Sequence, residues 1–160
     1  MSNKSGMWIR GLQEVQDALS QELKKLEGSH YALVGIHESA GVTDDGQMTM
    51  ATLGAKQHYG NDQIPARRWL DTGAESGSKD IITTARDGLA NGLDSKSIVA
   101  QMGAETEGAI KQYITDLKVP PNAPSTIRQK GSNNPLVDTG NMRASVTSVV
   151  VAKKPKEGIE

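Results

Sequence analysis

Apolar residues at Trp8, Leu12, Val15, Leu19, Leu23 and Leu26 recur every three or four positions, which gives a helix over residues 8–27 one apolar face. Its other face carries Glu14, Asp17, Glu22, Lys24 and Lys25, and Gly28 supplies the stop. So narrow a stripe suits an arm packed on another helix or on a neighbouring subunit, or a surface helix lying on its own domain. Tyr31-Ala32-Leu33-Val34-Gly35-Ile36-His37 is apolar and too short for an independent helix, and it predicts a strand. Residues 41–46 read as a loop through Thr43, Asp44 and Asp45. Met50, Leu53, Gly54 and Gln57 then keep helical spacing, which predicts a short helix over residues 48–59 closed by Gly60.

Residues 63–73 break the pattern with a proline, two arginines and Trp69, and read as a rigid elbow. Ile81, Ile82, Ala85 and Leu89 restore helical spacing over residues 75–90, and Asn91-Gly92 ends it. Asp94 or Ser95 can cap the longest periodic run, whose apolar face is Ile98, Val99, Met102, Thr106, Ala109, Ile110, Tyr113, Ile114 and Leu117. Gly103 and Gly108 inside it cost about 1 kcal/mol each relative to alanine, which points to close backbone packing there. Val119-Pro120-Pro121 ends the helix, and residues 120–135 form an excursion with no secondary structure predicted. Residues 135–146 make a second elbow around Asp138-Thr139-Gly140. It feeds a strand over residues 144–151, with Val146, Ser148 and Val150 on one side and burial expected mainly near its end. The expected organisation is an N-terminal helical arm (residues 1–30), an α+β domain (31–152) with a small antiparallel sheet packed by several helices, and a solvated tail (153–160).

Composition narrows the partners. With no phenylalanine and 3% aromatic residues, the core lacks the side chains that dominate burial, and help from neighbouring subunits is inferred. A formal charge of −1 lacks the overall footprint of a nucleic-acid binder, although residues 120–135 carry Arg128 and Lys130 and no acid. The absence of cysteine removes disulfides, thiolate metal sites and a cysteine nucleophile. No apolar leader and no apolar window of about 18 residues is present, so a soluble, unprocessed chain without membrane contact is expected.

Asp-Thr-Gly occurs twice, at Asp71-Thr72-Gly73 and Asp138-Thr139-Gly140, and Leu70-Asp71-Thr72-Gly73-Ala74 resembles a retroviral-type protease motif. Aspartic proteases hold two such carboxylates together so that they share one proton. Those enzymes are almost wholly β, whereas the chain after Ala74 keeps helical spacing, so the Asp and Thr residues read as turn-forming and capping groups. His30, His37 and His58 lack metal-ligand spacing and read as surface or packing residues. No catalytic, cofactor or metal residue is expected. Arg67, Arg68, Trp69, Arg128, Lys130 and Arg143 lie in or beside the elbows. They are the candidate partner interface, with the cations pairing to partner carboxylates or lining a DNA path and Trp69 as apolar anchor.

The order of these motifs is itself informative. Val34-Gly35-Ile36, then His58-Tyr59-Gly60, Ile64-Pro65-Ala66-Arg67-Arg68-Trp69-Leu70, Ile110-Lys111-Gln112-Tyr113-Ile114, Pro124-Ser125-Thr126-Ile127-Arg128-Gln129-Lys130-Gly131 and Pro135-Leu136-Val137-Asp138-Thr139-Gly140-Asn141-Met142-Arg143-Ala144-Ser145 follow one another. The set, over residues 31–151, resembles the phage tail-completion and virion-morphogenesis family, the small neck or tail-component proteins of long-tailed bacteriophages. Two positions depart from that family: its acidic residue is missing beside His58-Tyr59-Gly60, and Arg68 stands in place of its second proline. The resemblance implies a non-enzymatic virion part, assembled in the host cytoplasm. Such a part completes the tail and helps join it to the head, as a ring of identical subunits touching tail-tube and neck proteins. A DNA-contacting head–tail connector is the alternative, and an aspartic protease the remote one.

Overall fold

The computed structural model describes residues 30–153 together with Asp17, Ser20, Gln21 and Lys24. In chain order the elements are β1 (Tyr31–Ile36), a 3₁₀ turn (Glu38–Ala40), α1 (Met50–Tyr59), α2 (Trp69–Ser76), α3 (Ser78–Ala90), α4 (Ser95–Asp116), α5 (Pro124–Lys130), α6 (Asn141–Ala144) and β2 (Val146–Val151). The expected α+β class, a small antiparallel sheet packed by helices, is what these elements form.

The 22-residue α4 is the axis, with α2, α3, β1 and β2 all packed on it. It begins where the Asp94 carboxylate accepts hydrogen bonds from the Ser97 N–H and the Ser97 hydroxyl, both at 3.0 Å. Those bonds hold the Asp94 carboxyl below the usual carboxylate range. Ile98, Ile110, Ile114 and Leu117 are buried, as their spacing predicts.

The sheet has two antiparallel strands, paired from Tyr31 with Val151 to Ile36 with Val146. Two strands alone are marginal in water, and α4 supplies the covering layer. Gly103 makes this close: a Cβ there would lie 3.0 Å from Ala32 Cβ and 3.4 Å from Ser148 Cβ. Ala32, Val34, Ile36, Val146, Ser148 and Val150 therefore form the covered face. Burial in β2 is deepest at its first residue, Val146, rather than near its end, because Val146 enters the main core with Trp69, Ile110, Leu136 and Met142. At the free edge of β2, Glu107 Oε2 accepts the Ser148 N–H at 2.8 Å while its Oε1 accepts from Lys111 Nζ at 2.7 Å. A side chain thus occupies an edge position that another strand would otherwise pair with.

Several expectations need correction. Residues 69–73 are the start of α2 rather than an elbow, and the helix expected over 75–90 is broken at Gly77. A Cβ at Gly77 would lie 2.5 Å from Ala109 Cβ, so the α2–α3 junction presses directly on α4. Residues 120–135 contain α5, for which Pro124 in the first turn and Gly131 at φ 66° supply start and stop. Residue 144 ends a one-turn helix and is not yet strand. Gly103 has the close neighbours expected of it, but Gly108 has none within 4 Å among the described residues. The arm over residues 1–30 and the tail beyond Lys153 lie outside the described residues, except that Asp17, Ser20, Gln21 and Lys24 are helical and exposed and His30 leads into β1. Among the described residues, no helix is long and apolar enough to cross a membrane.

Candidate functional site

An open groove of about 470 Å³ lies at the end of the domain where β2 begins. Its floor is apolar, with Met50 and Leu53 from α1 and Leu136 and Met142 from the second elbow; Asp44, Asp45, Lys130, Asp138 and Asn141 stand among its polar walls.

Short-range hydrogen bonds shape each wall. On one side the Thr43 N–H donates to Met48 O at 2.8 Å, the Thr43 hydroxyl donates to Asp45, and the Gln47 N–H donates to Asp45 Oδ1 at 3.1 Å. The Thr43 hydroxyl and the Gln47 amide hold the Asp45 carboxyl below its ordinary value. On the other side Asn134 Oδ1 accepts from the N–H groups of Leu136 and Val137, both at 3.0 Å, while its Nδ2 donates to Thr115 O at 2.8 Å. Asn141 Nδ2 then donates to Asp44 Oδ1 at 2.7 Å, joining residues 97 positions apart.

Behind the groove, Arg67 is the fastener. Its Nε donates to Pro120 O at 3.0 Å, Nη1 to Gln57 Oε1 at 2.8 Å, and Nη2 to Pro121 O and Asn122 Oδ1, both at 3.2 Å. Lys130 Nζ donates to Asn134 O at 3.3 Å. Burial pulls the Lys130 pKa down, the Asp138 carboxylate opposes that, and the Arg67 charge adds to it, so these three groups share one neighbourhood.

The six candidate interface residues divide. Arg67 and Trp69 are only 4% and 3% exposed, so neither is a surface anchor. Trp69 instead donates its indole N–H to Gly54 O at 2.9 Å and fills the core beneath α1. Arg68 is exposed, but its guanidinium is paired with Asp71 in the first turn of α2. Arg128 and Arg143 are exposed, and Arg143 Nε donates to Lys111 O at 3.2 Å. Lys130 alone of the six lines the groove. The stretch 120–135 is basic in sequence, yet the fold sets it against Asp44, Asp45 and Asp138, so the groove rim is net acidic. A nucleic-acid backbone would meet three carboxylates there.

The two Asp-Thr-Gly motifs occupy different surroundings. Asp71 lies inside α2 and pairs with Arg68, whereas Asp138 lies in the elbow beside Lys130, where Gly140 takes φ 87°. His58 is buried against Trp69 and accepts the Leu70 N–H through Nδ1 at 3.4 Å, a packing role. Among the described residues, no group of three or more His, Asp or Glu is placed to hold a metal ion.

Comparison with family models, curated proteins and solved structures gives no match.

Asn122, Asn134 and the Asp44–Asn141 link are site-forming residues that sequence reasoning missed. Asn134 before Pro135 carried a turn signal, but nothing in the sequence marked its three long-range or turn-closing bonds as one node.

Proposed function

We propose that this chain is a structural virion protein of a long-tailed bacteriophage, acting at the head–tail junction as a tail-completion or tail-terminator component and assembling as a ring of identical subunits. The observation that carries the reading is convergence. Three of the separated stretches that bear the family resemblance meet at one end of the domain: residues 64–70 through Arg67, 124–131 through Lys130, and 135–145 through Asp138 and Asn141. Arg67 holds residues 120–122 from behind, and the elbow closes on the 43–48 loop through Asn141 and Asp44. An apolar floor inside a charged, open rim is the anatomy of a docking surface. A single-sided groove of this kind favours heterologous contacts, which close into rings when the rotation permits. The partner is a second subunit or a tail-tube or neck protein.

The double substitution Arg128→Glu with Thr139→Lys tests the docking surface, Thr139 standing on the groove rim. Both residues are exposed, so the isolated protein keeps its melting temperature while the yield of infectious particles falls. Normal yield from the altered protein would remove this end of the domain as the interface.

A further inference from the structure

We propose that the exposed stripe of α3, Lys79, Ile82, Arg86 and Leu89, docks in the groove of a second copy of this chain, an assignment that rests on the groove being a docking surface and names its occupant. The four residues recur at three- and four-residue spacing and fall within about 80° of one another around the helix. Gly88 faces another way: a Cβ there would lie 2.9 Å from Ile98 Cγ1, so α4 takes that side. Ile82 and Leu89 are 52% and 45% exposed, and among the described residues they are the only large exposed apolar pair on one helix. Single exposed apolar side chains need no explanation, but a pair flanked by cations does. Lys79 and Arg86 are exposed, and neither has an ion-pair partner among the described residues. Asp80 and Asp87 stand more than about 100° round the helix from the middle of the stripe.

The groove complements this stripe in both chemistry and charge. Its floor offers Met50, Leu53, Leu136 and Met142 to the two aliphatic side chains, and the unbranched methionines adapt to what enters. Its rim sets Asp44, Asp45 and Asp138 against the single ammonium of Lys130, which is the sign that Lys79 and Arg86 require. Ile82 and Leu89, about two turns and 10 Å apart along the axis, are spaced as the anchors of a helix laid in a groove. No residue of α3 lines the groove, so stripe and groove are separate surfaces and the contact between copies is heterologous. Each copy then offers a groove to one neighbour and a helix to the other.

Sedimentation velocity on the full chain at up to about 1 mM tests this, since one helix in one groove buries less than the roughly 1,200 Å² of a standard interface and associates weakly. A helix variant carries Lys79→Glu with Arg86→Glu, and a groove variant Thr126→Lys with Thr139→Lys; all four positions lie outside the buried core. The expected result is that the parent self-associates and that each variant alone does so about tenfold more weakly. An equal mixture recovers the parent affinity, because the groove variant's helix meets the helix variant's unaltered groove. A monomeric parent overturns the proposal, as does a helix variant that associates like the parent or a mixture no tighter than its components. Should a variant lose melting temperature, cross-linking gives the reading instead, because the chain has no cysteine. Thr83→Cys in one copy and Thr139→Cys in another are expected to oxidise to the heterodimer in excess of either homodimer, and homodimers in equal yield contradict the contact. Particle yield separates this assignment from the docking role of the groove. If the groove variant fails to support infectious particles while the helix variant supports them normally, the groove docks a different protein and only the α3 assignment falls. If both variants support normal yield, the docking role falls with it.

Discussion

Replacing Arg67 by alanine removes a cation that is 4% exposed and donates four hydrogen bonds, none of them to a carboxylate. Burial accordingly lowers its pKa from the ordinary arginine value. A hydrogen bond to a charged group is worth about 1.5–3 kcal/mol net, but these four share one side chain and its desolvation cost, so they do not add. What remains after truncation is a cavity and the acceptor oxygens of Pro120, Pro121 and Gln57 with a partner gone. The expected loss is about 3–4 kcal/mol, since a buried acceptor left unsatisfied costs about 1–3 kcal/mol and relaxation recovers part of the sum. Against a typical total of about 5–15 kcal/mol this is large, and at about 2–4 °C per kcal/mol it lowers the melting temperature by about 10 °C. Urea unfolding followed through Trp69 fluorescence reads the change. Arg67→Lys keeps the charge but loses the fork that reaches Gln57 and the proline carbonyls together, and it falls between the parent and alanine. An Arg67→Ala protein within about 1 kcal/mol of the parent would refute the role of fastener.

Further outcomes follow from α4 and its neighbours. In Gly73→Ala the new Cβ lies 3.0 Å from Ile110 Cα and 3.3 Å from Tyr113 Cβ, so overpacking of about 1–3 kcal/mol outweighs the gain in helix propensity. Gly108→Ala meets nothing within 4 Å among the described residues and stabilises by about 0.5–1 kcal/mol; urea midpoints of opposite sign check the pair, and equal shifts contradict it. Burial raises the Glu107 pKa, but the Lys111 ammonium and the Ser148 N–H outweigh that and set it below its ordinary value. A depressed folded pKa means that its stabilisation is complete above about pH 5 and is lost as pH falls through the folded value. Stability of the parent therefore falls more steeply on acidification than that of Glu107→Gln, and parallel urea midpoints across this window would contradict the edge-capping role.

The long periodic run over residues 98–117 and the strand at Tyr31 were legible because each presents a clean apolar repeat that the fold uses. Trp69 was misread because its arginine and proline neighbours resemble an exposed elbow. What decides its burial is Gly54, fifteen residues earlier in the chain, whose missing side chain leaves room for the indole. Residues 120–135 looked purely basic because the acids that face them, Asp44 and Asp45 from a distant loop and Asp138 from the elbow that follows, lie outside the stretch itself. Pro124 and Gly131 did mark the ends of α5, but seven residues are too few to show periodicity. The groove itself depends on Asn134, Asn141 and Arg67 bonding across large sequence distances, which no spacing rule anticipates.

The central claim is that the chain completes a phage tail at the head–tail junction. Electron microscopy of particles produced in its absence tests this directly. The expected images show filled heads separate from tails, or tails of uncontrolled length, with both corrected when the parent protein is resupplied. Intact, normally joined particles of uniform tail length made without it would contradict the account.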